Sequence, residues 1–439
     1  MSIKSVLVVA GAVLFSLAGA QTRFILRYTE SEPLGQFLAR YSLELEDSVP
    51  QRPIHSVIDR TGREPNLVIQ QISDDTDDDV SIEQDQFLSL PVLSFPTNQT
   101  QGLRDAERLK FLERSTLLLG MRVPRAFPAQ TAVGQTQMMP TWTQFGGGDA
   151  TVAVIDTGVD PSHTMFGRSL LAGIDYLTPG GNGSELVGLP GDIRALINPT
   201  TTPLLFREFR HTSKGHAPAW EARVSSSNLY GQIPIGLGHG TMVAGAIRLV
   251  APHARILPIR AFAQDGSGRL YHVIRGIHEA EIRGAHVVNL SLNSLTPSPE
   301  FERTADEVSS RGLILVASTG NNGLQGVDSF PAAYPKVIGV AAVNSANVRS
   351  PFSNVGSNVA WVAAPGEAIF LPFPGQRWSL GWGTSFSAPM VSGLAAQLRA
   401  RKSNLTYSDV QSALGRSTPN ADPNLGLGTL NVFASVAGM

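Results

Sequence analysis

From Ala150 onward, short and almost wholly apolar runs alternate with stretches whose apolar residues recur every three or four positions. The apolar runs Thr151–Ile155, Arg255–Phe262, His286–Leu292, Leu313–Ser318 and Val337–Val343 predict strands, and Thr241–Leu249, Arg269–Arg283 and Glu300–Arg311 predict helices. A strand without polar alternation is buried on both faces, so these elements predict an α/β fold with a mostly parallel sheet covered on each side. In such sheets chemistry gathers beyond the carboxyl ends of the strands. The stretch Gly381–Leu398 predicts a glycine-hinged turn running into a helix that is apolar on nearly every side and therefore buried. Ser385 stands where that helix should begin, and Pro389 is expected in its first turn, where amides lack carbonyl partners. No internal repeat is present.

The N-terminal part differs. Lys4, the apolar run Val6–Leu17 and the small residues Ala18-Gly19-Ala20 predict a secretory signal peptide over residues 1–20, cleaved before Gln21. The run is shorter than the roughly 20 residues a membrane span needs. With no cysteine after the cleavage site there is no lipid attachment point, so the product is expected to be soluble outside the cytoplasm, without a membrane anchor. Residues 21–135 form a second region: a strand at Phe24–Tyr28, a helix at Glu32–Tyr41, and a solvated acidic loop at Asp74–Asp79 lacking the spaced ligands and turn glycine of a calcium loop. An amphipathic helix is expected at Leu103–Leu119 and an exposed linker at Pro124–Gln135, leaving 136–439 as the large domain.

Composition narrows the chemistry. A chain of 439 residues with 42% hydrophobic content buries a full core in two or three domains, and a net charge of -2 leaves no general basic footprint for nucleic acid. The absence of cysteine excludes disulfides, thiol catalysis and cysteine-ligated zinc.

Three motifs lie at element boundaries. Asp156 ends the first strand in Val154-Ile155-Asp156-Thr157-Gly158, where a dinucleotide-binding chain would carry a Gly-x-Gly-x-x-Gly turn. His239 opens a helix in Gly238-His239-Gly240-Thr241, and Ser385 opens another in Gly383-Thr384-Ser385. Taken singly, they fit an Asx-turn, a packed histidine and a helix cap. Together they offer an orienting carboxylate, a base and a nucleophile, the last among free amides at the positive end of a helix dipole.

In this order and with these neighbours the sequence resembles the subtilisin-like serine proteases from about Gln135 to the C-terminus. The resemblance implies a subtilisin-like three-layer fold and a secreted serine endopeptidase working through an acyl-enzyme. Asp156 would orient the histidine, His239 would act as base and acid, and Ser385 would attack. Asn321, in Thr319-Gly320-Asn321-Asn322-Gly323, stands where the family places a side-chain oxyanion donor. Asp265-Gly266-Ser267-Gly268 and Asn289-Leu290-Ser291-Leu292 resemble the two edges that hold an extended protein or peptide substrate, with Asn293 and Gly320 beside them. Further matches are Phe352-Ser353-Asn354-Val355-Gly356, Val362–Gly366 and Gly428-Thr429-Leu430-Asn431. By the same resemblance residues 21–135 are a small α+β propeptide and a partner of the enzyme. No cofactor is implied for the chemistry, and a structural calcium ion is compatible with it.

The sequence also departs from the family. Asn293 replaces a glycine that helps open the main specificity pocket, and Gly180–Gly236 resembles an insertion. That insertion carries Arg207, Arg210, His211, Lys214, His216 and Arg223 and reads as a solvated surface loop. A catalytically inactive relative used for binding or scaffolding is the alternative; the full set Asp156, His239, Asn321 and Ser385 argues against it.

Overall fold

The computed structural model describes residues 21–77, 79–90, 115–197 and 234–439. The expected leader, most of the Leu103–Leu119 stretch and the basic residues from Arg207 to Arg223 lie outside them. The chain divides into two compact units, Met1–Asp85 and Gln86–Met439.

In the small unit, strands β1 (Thr22–Tyr28), β2 (Leu43–Ser48), β3 (Ile54–Asp59) and β4 (Val80–Gln84) form an antiparallel sheet of order β2-β3-β1-β4. Two helices, Leu34–Arg40 and Pro65–Asp75, complete it. Phe24, Leu26 and Tyr28 alternate onto one face of β1 and meet Phe37, Tyr41, Val68 and Ile72, which gives this unit its own core. Asp74 and Asp75 belong to the last turn of a helix rather than to a loop. Val68 and Ile72, four residues apart, anchor that helix on the core.

The large unit begins with β5 (Phe87–Ser89) and a hairpin of β6 (Ser115–Leu118) and β7 (Met121–Pro124). The last residues of the expected Leu103–Leu119 helix are thus a strand. Leu119 and Gly120 both take positive φ, the twist a tight hairpin turn requires, and Leu118, Met121 and Val123 are buried in the main core. Nor is Pro124–Gln135 an exposed linker. It forms the short helices Ala126–Ala129 and Thr131–Gln135, with Phe127, Ala132 and Val133 in the same core. The Gln130 side chain accepts from the Phe370 amide at 3.0 Å and donates to the Phe370 carbonyl at 3.1 Å. The break between compact units therefore falls at Asp85, well ahead of residue 135.

Next come β8 (Thr151–Asp156), β9 (Ile174–Asp175), β10 (Arg255–Arg260), β11 (Ser267–Arg269), β12 (Val287–Leu290), β13 (Ile314–Ser318), β14 (Val337–Val343) and β15 (Val362–Pro365). Seven of them form a wholly parallel sheet of order β15-β14-β13-β12-β8-β10-β9. Alternation along β8 shows why both faces must be covered. Val152 and Val154 join the core formed with Val243 and Ile247 of helix His239–Val250 and Leu394 and Leu398 of helix Thr384–Arg401. Ile155 points the other way, where Gly276 lets helix Leu270–Ile282 approach closely. The resulting three-layer α/β architecture is the expected one. From β8 the chain moves to β9 and back to β10 on one side and later to β12 on the other, so the carboxyl end of β8 is a topological switch point.

Candidate active site

Asp156 is the last residue of β8 and is completely buried. Its Oδ1 accepts from the Thr157 amide at 2.7 Å, and its two oxygens lie 2.8 and 2.9 Å from Nδ1 of His239. His239 is the first residue of its helix, brought close because Gly240 puts no Cβ against the carbonyl of Gly158. A carboxylate can only accept, so Nδ1 carries the proton and Nε2 is left as the basic nitrogen. Among the described residues Nε2 of His239 has no hydrogen-bond partner, and neither does Oγ of Ser385. The ring of His239 lies 5.7 Å, centroid to centroid, from the ring of Phe386, the residue following Ser385.

Ser385 occupies the first turn of helix Thr384–Arg401, whose N-cap Gly383 has φ of 137°. A Cβ on Gly383 would stand 2.9 Å from Nδ2 of Asn321. That amide is oriented by the helix start itself, because Asn321 Oδ1 accepts from the Thr384 amide at 2.9 Å and the Thr384 hydroxyl at 2.8 Å. The oxygen is held by Thr384, and Nδ2 turns toward Gly383. The side chain of Asn354 fixes the loop carrying Asn321, accepting from Asn322 and Leu324 amides and donating to the Thr319 carbonyl.

Pro389 lies in the second turn rather than the first. It has no amide, so the carbonyl of Ser385 loses its helical donor. The hydroxyl of Ser291 supplies one at 2.8 Å, itself accepting from Asn289, which in turn accepts from Ser392. Ser291, read from the sequence as a substrate edge, has its buried hydroxyl on the serine helix.

One predicted edge, Gly266–Gly268, pairs with a strand of this same chain, and Asn293, next to the other predicted edge, is bridged to that strand. Strand β5 pairs antiparallel with β11, matching Ser267 with Ser89, Gly268 with Leu88 and Arg269 with Phe87. The Leu90 amide donates to the Gly266 carbonyl at 2.9 Å, and Ser89 bridges Asn293. Side chains alternate: Phe87 is 81% exposed, whereas Leu88 and Leu90 are buried at 5% and 6%. Leu292 accepts from Ser318 through its carbonyl, and the Asn293 side chain crowds Gly320, where a Cβ would meet its Nδ2 at 2.7 Å.

Sequence reasoning missed the β5 strand and three residues around the Asp156–His239 pair, namely Thr157, Thr241 and Glu185. Glu185 lies in the stretch read as a surface insertion, yet it is fully buried, and helix Gly191–Ile197 follows it. The available signal was an acid set among Leu186, Val187 and Leu189. Among the described residues no cluster of three or more His, Asp or Glu is arranged to hold a metal, and no helix is long and apolar enough to cross a membrane.

A parallel sheet with a buried carboxylate–imidazole pair at its switch point and a serine in the first turn of the facing helix is the frame of a subtilisin-like serine endopeptidase. The chain belongs to the subtilase family, whose pattern it matches over residues 147–431. It is similar to subtilisin BL of Lederbergia lenta, 35% identical over 185 residues that cover 40% of this chain and 67% of that one. It is also similar to subtilisin DY of Bacillus licheniformis, 32% identical over 214 residues, 46% of this chain and 78% of that one. M-protease of Shouchella clausii (strain KSM-K16) is 34% identical over 209 residues, 46% of this chain, and the match spans 53% of its own length.

Proposed function

We propose that this chain is a secreted endopeptidase, made as a precursor, that hydrolyses proteins outside the cell through an acyl-enzyme on Ser385. The observation that carries the reading is the buried Asp156–His239 pair, whose Nδ1 contact leaves Nε2 as acceptor in a ring that lies 5.7 Å, centroid to centroid, from that of Phe386, the neighbour of Ser385. His239 takes the proton of Ser385 as Oγ attacks the peptide carbonyl carbon, and Asp156 stabilises the imidazolium. The oxyanion accepts from the Ser385 amide and from Nδ2 of Asn321. The imidazolium then protonates the departing amine, and water, deprotonated by the same histidine, hydrolyses the ester.

A substrate strand would lie where β5 lies, taking main-chain hydrogen bonds from Gly266, Ser267 and Gly268 and setting alternate side chains into pockets. The buried Leu88 and Leu90 favour apolar residues at those two positions, with Ser291, Leu292, Asn293 and Gly320 forming the opposite wall. Because the chain's own strand fills this track, we read the segment ending near Leu90 as the inhibitory end of the propeptide, cut just beyond β5 rather than near residue 135. The test is hydrolysis of an unfolded protein with mass mapping of the fragments. Internal cleavage after many sequences by the wild type and none by Ser385→Ala is expected; equal cleavage by both, or none by either, would overturn the proposal.

A further inference from the structure

Behind the Asp156–His239 pair lies a carboxyl group that the reaction does not use. Glu185 Oε2 accepts from the Gly238 amide at 2.8 Å and from the Thr157 hydroxyl at 3.3 Å, and Oε1 accepts from the Thr241 hydroxyl. Both hydroxyls are already oriented, because Thr157 Oγ1 accepts from the Gly240 amide at 3.0 Å and Thr241 Oγ1 from the Asp160 amide at 2.8 Å. Their protons are thereby left to point at Glu185. One carboxyl group ties the loop after β8 to the first turn of the His239 helix.

That helix start needs an outside acceptor. Its N-cap is Gly238, which has no side chain, and no side-chain cap is present. In a capping box an acid in the first turn would accept from the N-cap amide; here Glu185 does so from elsewhere in the chain. Two of its three donors belong to the residue immediately after Asp156 and the residue immediately before His239. Any relaxation at Glu185 therefore acts directly on the 2.8 Å contact between Nδ1 and the carboxylate.

We propose that Glu185 is a positioning residue for the Asp156–His239 pair, holding strand end and helix start in the register at which Nδ1 meets the carboxylate. The inference rests on the reading of those two residues as catalytic. Burial, with the Asp160 and Asp156 carboxylates, pushes the Glu185 carboxyl up to about 8, against the pull of the Thr241 hydroxyl and the Gly238 amide. The charged groups around it are Asp156, Asp160 and, when protonated, His239. Protonated, Glu185 must turn an O–H among three groups that all donate to it; ionised, it accepts from all three. The clamp is tightest at alkaline pH.

The experiment measures kcat and KM per titrated active site from pH 6 to 10 for the wild type, Glu185→Gln and Thr157→Val. Glu185→Gln keeps the shape and cannot ionise. It is expected to lower kcat about 10- to 100-fold with KM little changed, the scale of a small misplacement of catalytic groups. It should also lack the rise in kcat near pH 8 that is expected of the wild type as Glu185 ionises, a readout that a merely structural cap would not move. Thr157→Val, which removes one donor and no charge, is expected to lower kcat less. Wild-type kcat and an unchanged pH profile in Glu185→Gln would overturn the inference; if that variant does not fold, unchanged kcat in Thr157→Val overturns it. A wild type that fails to react with a phosphonate at Ser385 overturns the catalytic reading itself, and that result is separate because it needs no variant at Glu185.

Discussion

The Ser291 hydroxyl makes the hydrogen bond that Pro389 cannot, donating to the Ser385 carbonyl at 2.8 Å from a strand end more than ninety positions earlier in the chain. Proline in the second turn removes the amide that would have held this carbonyl, and the buried hydroxyl replaces it. Ser291→Ala leaves that carbonyl and the Asn289 amide without partners, so a loss of about 1–3 kcal/mol in stability is expected. Denaturant unfolding measures it, and turnover should fall as well because the carbonyl belongs to the proposed nucleophile. Unchanged stability would mean that the carbonyl finds another donor.

Asn321 separates catalysis from folding. If its Nδ2 donates to the oxyanion, Asn321→Ala removes an interaction made in the transition state and little of the bound substrate. Turnover should drop roughly 100- to 1000-fold with KM nearly constant, the loss known for a subtilisin deprived of its side-chain oxyanion donor. Kinetics per titrated site, with a melting curve alongside, checks this. A lower melting temperature with near-normal turnover would make Asn321 a turn residue holding Thr384.

Much of the fold around the proposed catalytic residues was legible because its signals are local. Val152, Val154 and Ile155 are apolar on both faces of one strand, and the glycines around His239 and Ser385 mark close approaches that only a folded helix start explains. What was not legible depends on distant partners. Phe127 and Val133 sit among small polar residues and prolines, and only the core they enter shows that the stretch is not a linker. Glu185 reads as surface because its three donors come from Thr157, Gly238 and Thr241, all remote in sequence. Strand β5 is three residues long and acquires its structure from β11.

The pairing of β5 with β11 predicts the processing site. Terminal sequencing of the mature enzyme should begin shortly after Leu90, while Ser385→Ala should stay joined. Replacing Leu88 and Leu90 by Asp places carboxylates in two buried positions. The precursor should then show measurable hydrolysis before processing. A mature terminus near residue 136 would contradict the assigned cut, and a double variant that stays fully inhibited would contradict the inhibitory role of β5.

His163 should make the enzyme sensitive to acid. Its Nε2 faces the Arg377 carbonyl at 3.1 Å and its Nδ1 the Met165 amide at 3.3 Å, so one nitrogen donates, the other accepts, and the ring is neutral. Burial holds its pKa below the ordinary 6.5, opposed by the Arg377 carbonyl and Asp160. The unfolded chain therefore takes up a proton at a pH where the folded chain does not. Stability is fully present above about 6.5 and is lost as pH falls through the lower folded value. Melting temperatures should decline from pH 7 to pH 5, and less so in His163→Gln, which keeps a donor and an acceptor but does not titrate. Equal slopes would remove His163 as a cause.

The central claim is that Ser385 is the nucleophile activated by His239. Reaction of the purified protein with a serine-directed phosphonate, followed by peptide mass mapping, tests it most directly. A single adduct on Ser385, formed in proportion to loss of hydrolysis and suppressed in His239→Ala, is the predicted result. An enzyme that hydrolyses protein but carries no adduct at Ser385, or labels equally well without His239, would contradict the account.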